Sequence, residues 1–155
     1  MGLGGVIMRE IKFRAYDKVN NIMMYNAQMM HDYSYYDKYM ISEYIYNGSI
    51  LSRGSFYSMI LDKNIILMPY TGLKDKNKKE IYEGDILNIF EVSENDTKEY
   101  ISVVKFIESG FLVTEPNECQ VPLAAFHNLD KTYPLFEIEV IGNIYENPEL
   151  LEEVK

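Results

Sequence analysis

From residue 65 onward, short apolar or alternating runs recur about every eight to twelve residues, each closed by a turn signal, a cadence that belongs to a small barrel or sandwich. Residues 64–69 are an apolar run ended by proline. Residues 86–92 alternate cleanly, 100–106 and 111–114 follow across polar turns, and 136–145 make a long closing strand. Residues 122–126 suit a short turn of helix. A C-terminal helix starts at Asn147-Pro148-Glu149, with asparagine as N-cap, proline at the first helical position and glutamate in the first turn.

Upstream, residues 11–16 alternate apolar and charged side chains as a half-buried strand does. Residues 17–21 read as a turn, and 22–25 return as the hairpin partner. Between 26 and 58 tyrosine, methionine and serine are mixed, so a loop or irregular short strands are expected there, with a turn at Asn47-Gly48-Ser49. The expected organisation is therefore mainly β. A small N-terminal β subdomain over 9–64 carries the tyrosine-rich segment, and an SH3-like β-barrel with a short C-terminal helix occupies 65–151.

A chain of 155 residues buries roughly two-thirds of its unfolded surface and needs neither disulfide nor metal to fold. Cys119 is the only cysteine, which suits a reducing compartment. No run approaches the roughly eighteen apolar residues of a membrane span. Residues 1–8 lack the basic region and cleavage site of a leader, and Met8 is a second candidate start. The expectation is a cytoplasmic protein with no membrane partner. The net charge is −9, and residues 101–155 hold three basic against ten acidic groups. That excess suits solubility, and it opposes broad contact with a phosphate backbone by the C-terminal half.

The most distinctive stretch is 70–86, YTGLKDKNKKEIYEGDI, which packs turn signals, a basic loop and a Gly-Asp strand entry into seventeen residues. Gly84 permits the positive φ of a sharp strand entry, and Asp85 can accept hydrogen bonds from nearby backbone amides. Two other segments travel with it: REIKFRAYD at 9–17 and EVIGNIYENPELL at 139–151. Together the three resemble the YopX family of bacteriophage and prophage proteins, at both ends and the middle of residues 9–151. That family usually has tryptophan where Tyr16 stands and glycine where Lys78 stands, the second departure putting a side chain at a turn position that favours positive φ. The resemblance implies a phage-encoded, mainly β protein with a barrel-like C-terminal part. The family has no settled activity, so it supplies no catalytic residues.

The residues themselves indicate no enzyme and no cofactor. His31, His127 and Cys119 are too scattered for the three or four ligands of a metal site, and although His127 could approach Cys119 across a turn, nothing in the flanking residues supports its activation. Two clusters remain. Tyr33, Tyr35, Tyr36, Tyr39, Tyr44 and Tyr46 put six of fourteen tyrosines within fourteen residues, which suits an interface as well as packing against the barrel. Lys74, Lys76, Lys78 and Lys79 form a basic loop that could meet a few phosphates, though a turn loop is commonly charged in any case. The expected role is an accessory protein acting by protein–protein contact, with itself as a homo-oligomer or with a host or phage protein. Nucleic-acid binding through residues 74–79 is the alternative.

Overall fold

The structure, a computed structural model, describes residues 10–30, 41–46, 49–55, 63–94, 96–126 and 135–154, the side chains of 26–30, 41–46, 49–55 and 153–154 lying outside that description. Strands β1 (Phe13–Asp17) and β2 (Ile22–Met30) form the expected antiparallel hairpin. Its turn is tied by Asp17, whose Oδ1 accepts hydrogen bonds from Val19 N at 2.8 Å and Asn20 N at 3.1 Å. Asn21 takes the left-handed conformation, φ 54°, that asparagine tolerates.

The segment expected as loop or irregular strand is more regular than its composition suggests. Strands β3 (Ile41–Tyr46) and β4 (Ser49–Ser55) extend the sheet in antiparallel register, Tyr46 opposite Ser49 across the expected turn. Tyrosine and isoleucine favour strands in their own right, and main-chain ladders do not require the alternation that this segment lacks.

Strand β5 (Ile65–Lys74) runs beside β1, with Asp17 opposite Ile65 and Phe13 opposite Pro69. It then continues past the proline expected to end it and pairs with β6 (Glu80–Tyr82). Tyr70 N donates toward β1, to Lys12 O, whereas Pro69 O faces the other way and accepts from Glu83 N. Neighbouring residues of a strand address opposite sides, so the missing proline N–H would point where β6 has already ended. The resulting sheet has the order β4-β3-β2-β1-β5-β6, so strands on both sides of position 64 share it.

Among the described residues two three-stranded sheets accompany it. One is β12 (Leu135–Asn143), β7 (Asp85–Val92) and β8 (Thr97–Val103); the other is β11 (Gln120–Pro122), β10 (Gly110–Thr114) and β9 (Lys105–Ile107). The strand expected over 100–106 is divided at Val104, which leaves the ladder to bond Gly84 N and Asp85 O. The short helix at Leu123–Phe126 is present as a 3-10 turn, and the C-terminal helix, Pro148–Val154, is also 3-10. The chain is thus mainly β with very little helix.

Ile81, Leu87, Ile89, Val113, Leu123 and Ile138 belong to one core shared by β6, both small sheets and the first 3-10 turn. Among the described side chains of the six-stranded sheet, Ala15 and Met24 are buried on one face and Tyr16, Met23, Met68 and Tyr70 on the other. The expected alternation over 11–16 exists, yet Lys12 and Arg14 are buried while Ile11 is exposed. Their charges are met from across the fold, which permits burial.

Positive φ occurs at Gly72 (90°) and Gly84 (79°), and also at Lys78 (66°). A Cβ on Gly84 would lie 3.4 Å from the Tyr145 ring and 3.5 Å from Met68 Sδ. Lys78→Gly is expected to stabilise the protein by about 1 kcal/mol, and Gly72→Val or Gly84→Val to cost about 1–3 kcal/mol. Urea unfolding midpoints check this; equal midpoints for all three variants would contradict the assignment.

Candidate functional site

Side chains two apart on a strand share a face. Lys12, Arg14 and Tyr16 accordingly project together, and each meets a residue from a different motif. The Arg14 guanidinium Nη2 lies 2.6 Å from Asp85 Oδ1, and both side chains are almost fully buried (4% and 1% exposed). Asp85 Oδ2 accepts from Tyr82 N at 2.7 Å, as the position beside Gly84 suggested. Arg14 Nη2 also donates to Glu83 O at 3.3 Å, and the guanidinium sits 4.9 Å above the Tyr82 ring. Among the described residues Arg14 Nε has no acceptor, whereas Asp85 Oδ1 is held by Nη2.

Next to it, Lys12 pairs with Glu80 and lies 4.6 Å over the Tyr70 ring. Glu80 Oε2 accepts from Tyr82 Oη at 2.8 Å. Tyr16 stacks on Tyr145 with centroids 4.9 Å apart. The turn that presents Tyr145 is built on Asn143, whose Oδ1 accepts from Tyr145 N and Glu146 N at 3.1 and 3.0 Å. Ile144 N donates to Gly84 O, which closes the three-way contact. Just before this turn a bulge in β12 adds Ile141 between Val140 and Gly142. Bulges re-aim the chain beside such sites.

Burial pushes the Asp85 carboxyl up, against the pull of the Arg14 charge and the Tyr82 amide. Burial also acts to raise Glu80, but hydrogen bonds from Lys12 and Tyr82 outweigh it and hold Glu80 below 4.5. For Lys12, burial works downward and the Glu80 hydrogen bond and charge reverse it, leaving the ammonium above 10.5. Burial, then the bond donated to Glu80, raises the Tyr82 phenol.

A cavity of about 300 Å³ opens beside the Arg14–Asp85 pair, walled by Tyr25, Lys79, Asn143 and Glu146. It was not anticipated. The available signal was charge complementarity between motifs: cations at 12 and 14 on one strand face, carboxylates at 80 and 85 in the central signature.

The anticipated clusters fall elsewhere. Tyr33, Tyr35, Tyr36 and Tyr39, with His31 and His127, lie outside the described residues. Tyr44 and Tyr46 stand on β3, opposite Ser52 and Ser49 of β4. Cys119 is exposed. The lysine loop is a turn organised by buried Asp75, whose Oδ1 accepts from Asn77 N and Lys79 N at 2.8 Å each and whose Oδ2 accepts from Val140 N at 3.0 Å. Lys76 pairs with Glu139 at 2.7 Å, and Lys79 reaches Val140 O at 3.5 Å, so the quartet is partly engaged internally. Among the described residues no group of three or more His, Cys, Asp or Glu could hold a metal, and no helix is long and apolar enough to cross a membrane.

The family model described as YopX protein matches residues 12–152. The crystal structure of protein EF1440 from Enterococcus faecalis is similar at 28% identity, covering 93% of this chain and 99% of that one, with a TM-score of 0.54. Protein yopX from Bacillus subtilis shares the fold at 19% identity, 92% and 98% coverage and a TM-score of 0.52. None of the curated proteins matches the chain.

Removing one partner of a buried ion pair strands the other charge. Arg14→Met and Asp85→Leu are each expected to cost about 3–5 kcal/mol, and the double variant clearly less than their sum. Additive losses in a double-mutant cycle would show that the contact carries no coupling. Glu80, depressed in the fold, contributes stability that is present above 4.5 and lost as pH falls through its folded value; Lys12, raised, contributes stability present below 10.5 and lost above it. The stability difference between wild type and Glu80→Gln should therefore be flat between those limits and shrink beyond either, measured by denaturation across pH.

Proposed function

We propose that this chain, which belongs to the YopX family, is a non-enzymatic phage or prophage accessory protein of the host cytoplasm that acts by protein–protein contact, beginning with pairing of two copies along strand β4. The observation that carries this reading is the position of β4 at the end of the six-stranded sheet: no described strand pairs with its outer edge. An unpaired edge offers a row of N–H and C=O groups to another strand. Two identical edges meet antiparallel about a two-fold axis, which closes the assembly at a dimer. Leu51 is the extra residue where the β3–β4 register shifts, so the regular stretch offered is 52–55. Tyr44 and Tyr46 on the neighbouring strand place part of the tyrosine cluster beside this edge.

A binding role rather than catalysis is supported by how the central carboxylates are used. Glu80 holds Lys12 and Tyr82, and Asp85 holds Arg14 and the Tyr82 amide. Each is a fastening before any substrate arrives. The C-terminal strands, gathered round one core, are read as a barrel of SH3-like form presenting the sheet.

Nucleic-acid binding through the basic loop is the second reading, favoured by exposed Lys74 and Lys78. It requires affinity that falls steeply with salt and is lost on charge reversal at Lys76 and Lys78.

Sedimentation velocity over a concentration series is expected to show a dimer. Adjacent β4 residues address opposite sides, so of Ser52→Pro and Arg53→Pro one removes only an outward N–H and should give a folded monomer. A parent protein that stays monomeric throughout the series would end the β4 reading.

A further inference from the structure

We infer that the outward face of the β12-β7-β8 sheet, centred on Phe90, docks an arginine-bearing basic segment of a partner protein, whose guanidinium takes the place over the ring that Lys76 holds in the free chain. The inference rests on the reading of this chain as a protein-contact module, and it names the chemistry of a partner at a surface other than β4.

Register places the groups. Glu137, Phe90 and Glu99 stand directly opposite one another on three adjacent strands, and Glu139 and Asn88 begin the next row of the same face. Ile138 and Ile89, one position along, turn the other way into the core, so the row with Phe90 faces outward. Glu137 and Glu99 are exposed, and Phe90 is partly so.

An aromatic face between carboxylates attracts a cation, because the ring quadrupole and the flanking charges pull the same way. The fold already holds one there. Lys76 Nζ lies 5.1 Å from the Phe90 centroid and 2.7 Å from Glu139 Oε2. The hydrogen bond to Glu139, and then the charges of Glu139 and Glu137, raise that ammonium against its desolvation. The side chains of Lys76 and Glu139 are 35% and 36% exposed, and an exposed pair holds weakly, so an incoming cation can displace it.

Spacing selects the class of cation. Glu137 and Glu99 lie two strand spacings apart, about 10 Å, whereas a metal ion needs its oxygens within about 2.6 Å. Glu137 and Glu139 recur along β12 at about 6.8 Å, the step between same-face side chains of any extended chain, so cations at alternate positions of a strand match them. Arginine suits the ring because its planar guanidinium stacks on aromatics and bonds a carboxylate through two N–H groups, where lysine offers a point charge. The net charge of −9, with ten acidic against three basic groups over 101–155, draws such a partner from a distance.

The full chain is titrated by calorimetry at low ionic strength with the capped peptide Arg-Ser-Arg-Ser-Arg, its lysine counterpart and spermidine. The arginine peptide is expected to bind saturably, and Phe90→Leu and Glu137→Gln each to weaken it about threefold. Lys76→Ala is expected to tighten it about threefold, whereas Lys18→Ala, equal in charge and placed in the β1–β2 turn, leaves it unchanged. Absence of saturable binding would overturn the proposal, as would equal effects of the two lysine variants or no effect of Phe90→Leu and Glu137→Gln. A lysine peptide bound as tightly would overturn the arginine, and spermidine bound more tightly would overturn a partner protein as the source. A monomeric chain that binds the arginine peptide would remove the β4 dimer and leave this surface standing; a dimer that does not bind it would do the reverse.

Discussion

The pairing of Arg14 with Asp85 is the contact on which the arrangement of the rest depends. Both side chains are withdrawn from water, and a buried charge survives only where its counter-charge and hydrogen bonds are held in place. That requirement links parts of the chain that local structure does not join. Arg14 stands in the middle of β1, in the six-stranded sheet, whereas Asp85 opens β7 in a separate three-stranded sheet. Placing the carboxylate requires the turn at Gly84, and that turn is bonded to Val104 and Ile144. One ion pair thereby sets the relation between the N-terminal hairpin, the β6–β7 turn and the turn after β12.

A second buried carboxylate repeats the principle at smaller scale. Asp75 gathers three backbone N–H groups, two from its own loop and one from β12. The loop that looks basic in sequence is therefore a structural turn with lysines on its outside. Lys78 takes the left-handed conformation because Asp75 closes the turn around it.

These fastenings set Tyr25 and the cavity beside Arg14 and Asp85 at one part of a sheet whose far end, among the described residues, is β4. Charges committed to internal pairs, Lys12 with Glu80 and Arg14 with Asp85, hold that geometry.

Much of this was legible in the residues. The strand cadence, the turn at 17–21, the short helical turn at Leu123–Phe126 and the special backbone at Gly84 follow from local chemistry, in which alternation, turn residues and glycine act over a few positions. The three motifs were visible as motifs. What they do for one another was not. Alternating charge on a strand reads as a solvent face, and only the arrival of Glu80 and Asp85 from some seventy residues away turns Lys12 and Arg14 inward. The continuation of β5 past Pro69 and the strands formed by 41–46 and 49–55 belong to the same category, because each depends on which neighbour lies alongside. Sequence by itself determined the turns and the cleanly alternating strands, since those preferences are local. Which charges are buried, and where a cavity opens between them, came from the assembled fold, because burial and pairing are properties of contacts between distant segments.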